Sequence, residues 1–195
     1  MNDVALVVID MQNDFCDPAS RLFVAGAPEI EANVARVMTL FREAGQPVVV
    51  VLRQHRIEGF DVDHTRIGIF REDPFLVTSP GADLINGLEI APTDVVVVKR
   101  RWSAFFATDL DMVLRRMGVR TVVLAGVQTP NCIRATANDA TSLDYHCVVV
   151  SDATASASQA IQDANLYDMS KMGVEIVTTT QMAARMEMLE AAAAS

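Results

Sequence analysis

Six runs along the chain are apolar without alternation. They are "VALVVI" from Val4, "VVVVL" from Val48, "VVVV" from Val95, "TVVLAG" from Thr121, "CVVVS" from Cys147 and "EIVT" from Glu175. A strand with one face in water alternates apolar and polar residues. A run that does not alternate belongs to a strand covered on both faces, the habit of parallel sheets flanked by helices. Between the runs the period changes. Ile30, Val34, Val37 and Phe41 recur at helical spacing before Gly45, and Leu110, Val113, Leu114 and Met117 do so before Gly118. A weaker copy, "LYDMSKMG", ends at Gly173. Each glycine fits the left-handed residue that closes a helix. Six strands alternating with helices predict an α/β fold: a three-layer α/β/α arrangement around a six-stranded parallel, Rossmann-like sheet. Apart from an Ala-rich tail, no repeat or linker interrupts the pattern, so one domain is expected over residues 1–195.

Doubly wound sheets bind ligands beyond the carboxyl ends of their strands. The first polar residue after each run therefore carries the most information. Asp10 follows "VVI" of the first run. It is either a turn former or cap, or a partly desolvated acid suited to proton transfer. Asp14 and Asp17, in the loop proper, fit the first role better. Lys99 repeats the position of Asp10 after the third run; the plain alternative is a snorkelling surface lysine. Arg100 and Arg101 read as solvated charges. Beyond the fourth run, Thr129 reads as an N-cap and Pro130 as the first helical residue, which puts Cys132 in the first turn of a helix. Cys147 reads as core and Cys16 as exposed loop.

Composition narrows the chemistry. The chain has 195 residues, 51% of them hydrophobic, and a formal net charge of -9. That charge excludes nucleic acid and anionic membranes as natural partners. No run approaches the roughly 18 apolar residues of a membrane span, and the N-terminus lacks the basic region of a signal peptide. Three cysteines without an export signal point to free thiols in a reducing cytoplasm. A thiol needs about two units of pKa depression to ionise at neutral pH, or roughly 2.7 kcal/mol. A helix N-terminus supplies about 0.3–1 kcal/mol. A lysine ammonium at about 4 Å supplies up to about 4 kcal/mol at an effective dielectric of about 20. Lys99 is thus expected to decide whether Cys132 is a thiolate, unless Asp10 opposes it; that conflict eases if Asp10 carries the thiol's proton.

Three segments, "VVIDMQNDF", "VVKRRWSAFFATDLDMVLRRMGV" and "LAGVQTPNCIRATANDATSLDYHCVVVSDATA", resemble the isochorismatase-like cysteine hydrolase superfamily. Nicotinamidases, N-carbamoylsarcosine amidases, ureidoacrylate amidohydrolases and isochorismatases belong to it. The likeness runs from about Ala5 to Val177. It implies an Asp–Lys–Cys triad at Asp10, Lys99 and Cys132. It also implies a non-proline cis peptide between Val127 and Gln128, with the N–H groups of Gln128 and Cys132 serving an oxyanion. The expected reaction is hydrolysis of a C–N bond in a small amide or ureide through a thioester on Cys132. The alternatives are vinyl-ether hydrolysis, for which Asp10 alone suffices as acid, and a binding module without turnover.

Two departures from the superfamily's pattern bear on the choice. The Asp-x-His metal pair of nicotinamidases reads Arg53-Gln54-His55 here, and Pro74 stands where another histidine aligns, so neither a metal nor a cofactor is expected. Asp61, Asp63 and His64 read as a solvated acidic loop. Phe15, Trp102 and Phe105 are candidates for the wall of a small planar-substrate pocket, with core packing the alternative for Phe105 and Phe106. Arg53 or Arg134 is a candidate for a substrate carboxylate. The superfamily's habit implies a homo-oligomer, a dimer or tetramer, with the Met-rich C-terminal helix as one possible contact.

Overall fold

The computed structural model describes residues 3–193. Six parallel strands form one sheet in the order β3-β2-β1-β4-β5-β6. They are β1 (Val4–Ile9), β2 (Val48–Arg53), β3 (Val95–Lys99), β4 (Thr121–Val127), β5 (His146–Ala155) and β6 (Glu175–Val177). The helices are α1 (Asn13–Cys16), α2 (Ala27–Glu43), α3 (Ile67–Glu72), α4 (Leu110–Met117), α5 (Arg134–Ser142), α6 (Gln159–Lys171) and α7 (Thr179–Ala193). Gly45, Gly118 and Gly173 all have positive φ just beyond α2, α4 and α6, as the helix-stop reading requires.

The alternate residues of each strand divide between two cores. Leu6, Val8, Val50 and Val123 face α2 and α7, against Ile30, Val34, Val37, Phe41, Met182 and Met186. Ala5, Val7, Val49 and Leu124 face α4, α5 and α6, against Leu110, Leu114, Ala137 and Met169. This is the three-layer arrangement that unbroken apolar runs demand. The edge strand β3 departs from it. Val96 and Val98 lie 43% and 40% exposed, because no helix among the described residues covers that side of the edge. β5 is twice the expected length, and its register against β4 shifts between Leu124 and Gly126.

The chain winds outward through β2 and β3, then returns to place β4 on the other side of β1. The switch point between β1 and β4 is where doubly wound sheets open a crevice. Gly126 sits there, paired with Ile9, with φ +107. A Cβ at this position meets the Ile9 carbonyl oxygen at 2.1 Å, so only glycine lets the two strand ends approach so closely.

Candidate active site

The ends of three neighbouring strands deliver the predicted polar residues to one place. Asp10 directly follows β1, with φ 56, a left-handed conformation that Asp tolerates better than most residues. Lys99 ends β3, paired in register with Arg53 at the end of β2. Gln12, fully buried, ties the edge together: its side chain accepts from the Arg53 N–H at 2.8 Å and donates to the Arg53 carbonyl at 2.9 Å.

Asp10 and Lys99 have no exposed side-chain surface, and Lys99 Nζ lies 2.8 Å from Asp10 Oδ2. The same ammonium donates to Cys132 Sγ at 3.4 Å and to the Arg101 carbonyl at 2.9 Å. Two hydrogen bonds and one ion pair thus hold the ammonium in place. Both Asp10 carboxylate oxygens are buried without a hydrogen-bond partner among the described residues. An acceptor left open beside a thiol is the arrangement a general base requires.

Cys132 reaches this cluster from a five-residue π-helical turn, Thr129–Ile133, between β4 and α5. Such turns often occur at functional sites. The expected capping differs. Gln128 takes the N-cap position, and Thr129 turns inward to donate its hydroxyl to the Ala155 carbonyl at 3.0 Å. Thr136 anchors the turn, donating to the Cys132 carbonyl at 2.7 Å while accepting from the Ala104 N–H at 2.9 Å. The Val127–Gln128 peptide is cis and non-proline.

The expectation of a resting thiolate does not hold. Burial first, and the charge of Asp10 second, push the Cys132 thiol up to about 11, against the opposing pull of Lys99. The thiol is therefore neutral at pH 7. Lys99 and the helix end favour the thiolate, but desolvation dominates for a residue 2% exposed.

A cavity of about 180 Å³ opens onto Cys132, lined among others by Phe15, Trp102, Gln128, Asn131 and Arg66. Asn131 donates to the Gln128 side-chain carbonyl at 2.5 Å, fixing that wall. Phe15 and Trp102 stand where a pocket wall was expected. Phe105 does not. It stacks on Tyr145 at 5.7 Å in the core under α4 and α5, while Phe106 is exposed and borders a separate groove with Trp102.

Arg53 does not line this cavity, and all of its guanidinium but Nη1 is engaged within the protein. It is fully buried, donates to Asp63 Oδ2 at 2.8 Å and to His55 Nε2 at 3.3 Å, and lies 4.8 Å from the Trp102 ring centroid. Arg134 is bound to Asn165 and Asp168 on α6. In the segment read as a solvated acidic loop the two carboxylates are largely buried, while His64 is exposed. Asp63 pairs with Arg53, and Asp61 takes up Arg56 and Arg100 at 3.0 and 2.9 Å. Arg100 and Arg101 are accordingly half-buried rather than solvated; Arg101 donates to the Asp61 carbonyl at 2.6 Å. Cys16 lies buried in α1, not in an exposed loop, and burial pushes its thiol up to about 12, as it does that of Cys147.

His55 is buried between Phe70 and Phe75, with ring centroids 6.0 Å from each. Burial, and then Arg53, push it down to about 4, so it is neutral. The Arg53 guanidinium holds both His55 and Asp63. A cation cannot use those two groups without displacing it, so the residues here do not fit a metal. Sequence reasoning missed Arg66, which precedes α3. Its isolated place between Thr65 and Ile67 carries no local signal of a pocket.

Comparison with known proteins agrees with this picture. The family model for the isochorismatase domain matches residues 4–181. A probable inactive nicotinamidase of Arabidopsis thaliana is 44% identical over 90% of this chain and 92% of its own. A ureidoacrylate amidohydrolase of Variovorax paradoxus is 32% identical over 86% of this chain and 75% of its own. The crystal structure of an isochorismatase family protein from Desulfovibrio vulgaris superposes with a TM-score of 0.91 at 42% identity, covering 93% of this chain and 97% of the other.

Proposed function

The chain belongs to the isochorismatase family of hydrolases, and on that premise we propose that it cleaves a C–N bond of a small amide or ureide with Cys132 as nucleophile. One observation carries the reading. A single buried ammonium, Lys99 Nζ, lies 2.8 Å from the Asp10 carboxylate and 3.4 Å from the Cys132 sulfur, and a small cavity opens onto that sulfur. The ureidoacrylate amidohydrolase among its relatives supports the class of bond.

The neutral thiol sets the order of events. Asp10, paired with Lys99 at 2.8 Å, takes the Cys132 proton as sulfur attacks the substrate carbonyl. The carbonyl π electrons move to oxygen. The N–H groups of Gln128 and Cys132 are assigned to that oxyanion; one such donor is typically worth about 2.7–4 kcal/mol. The intermediate collapses, the C–N bond breaks and Asp10 returns its proton to the departing nitrogen. An acyl thioester remains. A water then gives a proton to Asp10 and its oxygen to the acyl carbon, and the thiol leaves with that proton.

The test is ammonia release from a panel of small amides and ureides, with intact-mass measurement for an acyl adduct on Cys132. Wild-type protein should release ammonia from at least one compound and Cys132→Ala from none. Turnover that survives Cys132→Ala removes the thioester from the mechanism and leaves water, activated by Asp10, as the nucleophile on the amide carbon. Absence of turnover together with reversible binding would favour a non-catalytic module.

A further inference from the structure

We propose that Arg66 is the specificity-determining residue of this cavity and that the substrate it selects bears a carboxylate. The inference deepens the amidohydrolase reading and rests on it for the identity of the reacting end.

Arg66 and Cys132 line the same cavity of about 180 Å³. Drug-sized pockets run from roughly 300 to 1,000 Å³, so a molecule filling this one is small and reaches both residues at once. The Arg66 guanidinium lies 4.2 Å from the centroid of the Trp102 ring, which also lines the cavity. The aromatic face holds the cation by cation–π attraction and uses none of its N–H donors. Arg66 Nη1 is buried and, like Arg53 Nη1 and Arg100 Nη1, has no hydrogen-bond partner among the described residues; of the three only Arg66 lines the cavity. Guanidinium donors out of contact with water are rarely left idle.

The charge balance around the cavity points the same way. None of the residues lining it is acidic. The charge of Lys99 is answered by Asp10 and that of Arg53 by Asp63. Asp63 is near enough to act on Arg66 but is already engaged by Arg53 and by the Thr65 hydroxyl. Arg21, the other cation on the wall, leans on Glu72 and Asp73 at 3.7 and 4.0 Å. Arg66 is the positive charge left over. One planar guanidinium with free donors matches one planar monoanion in charge and in hydrogen-bond geometry, which favours a carboxylate over a phosphate dianion.

The experiment uses Cys132 as its own reporter, because alkylation requires no turnover. Iodoacetate and iodoacetamide form the same S–CH2 bond and expel iodide, and differ in a carboxylate against an amide. Each rate at Cys132, followed by peptide mass spectrometry, is divided by the same reagent's rate with glutathione. In wild-type protein the corrected ratio should favour iodoacetate by about tenfold or more. Arg66→Gln should bring it to within about threefold of unity, and Arg66→Lys should retain part of the preference. A second measurement needs no variant. Propionate should protect wild-type Cys132 from iodoacetamide at concentrations where propionamide and inorganic phosphate do not. A wild-type ratio near unity, a ratio that Arg66→Gln leaves unchanged, or better protection by phosphate overturns the proposal. Failure of every amide to release ammonia would instead count against the hydrolytic reading and leave the alkylation ratio interpretable.

Discussion

Replacing Asp10 by Asn should make Cys132 more acidic while making the protein slower, two effects that most substitutions do not combine. Burial and the charge of Asp10 are the two largest causes that push the thiol up to about 11. Asn removes the second and leaves the first. Asp10 Oδ2 and Cys132 Sγ both contact Lys99 Nζ, at 2.8 and 3.4 Å, so they lie no more than about 6 Å apart. At that distance and an effective dielectric of about 20, two unit charges interact by roughly 2.8 kcal/mol, or about 2 pKa units. The sign is unambiguous: deleting an anion beside a thiol favours the thiolate. The Cys132 midpoint should therefore fall to about 9 or below. The same substitution removes the proton acceptor, and hydrolysis should drop by about 10² to 10⁴. The assay is NMR of protein labelled with ¹³C at cysteine Cβ, titrated from pH 7 to 10.5, with Cys132→Ser to assign the signal. Cys16 and Cys147 are each pushed up to about 12 and stay silent over that range. A Cys132 midpoint that stays put or rises in Asp10→Asn would show that the two groups do not share one electrostatic site, and the mechanism would go with it.

Other expectations follow from the same geometry. Lys99→Met leaves Asp10 buried and unpaired; urea unfolding should show a loss of about 3–5 kcal/mol, and ammonia release should vanish. Gly126→Ala forces a Cβ against the Ile9 carbonyl at φ +107. A loss of at least about 3 kcal/mol by urea denaturation is expected. Unaltered stability would mean that β1 and β4 are not so close. His55, pushed down to about 4 in the folded protein, binds its proton more tightly once unfolded. Its stability contribution is therefore complete above about pH 6.5 and is lost as pH falls toward 4. Unfolding free energy should drop by about 2.5 kcal/mol between pH 7 and 4.5 from this group alone. His55→Asn should flatten the slope in that window, and an unchanged slope would refute the buried neutral imidazole.

The cluster of Asp10, Lys99 and Cys132 was legible in the sequence because each of these residues sits where the hydrophobic pattern breaks. Asp10 and Lys99 are first polar residues after apolar runs, and Cys132 follows the glycine that ends another. Their partners were harder to read. Asp61 and Asp63 resemble any acidic loop until the fold lays them against Arg53 and Arg100 from the strand ends and Arg56 from the loop itself. Arg53 looked available to a substrate because its neighbours in sequence do not reveal that a turn ten residues later supplies its carboxylate. Phe105 and Phe106 are adjacent in sequence and end in opposite environments. Which of them enters the core depends on where α4 and Tyr145 stand.

Hydrophobic period, helix stops and polar residues at strand ends are local quantities. The chain alone therefore determined six parallel strands, the layers on both faces of the sheet, and the edge at which Asp10, Lys99 and Cys132 lie. Desolvation and ion pairing depend on what arrives from distant segments. Only the tertiary structure decided that the Cys132 thiol is neutral at rest, that Arg53 is occupied, and that Arg66 is the guanidinium left facing the cavity.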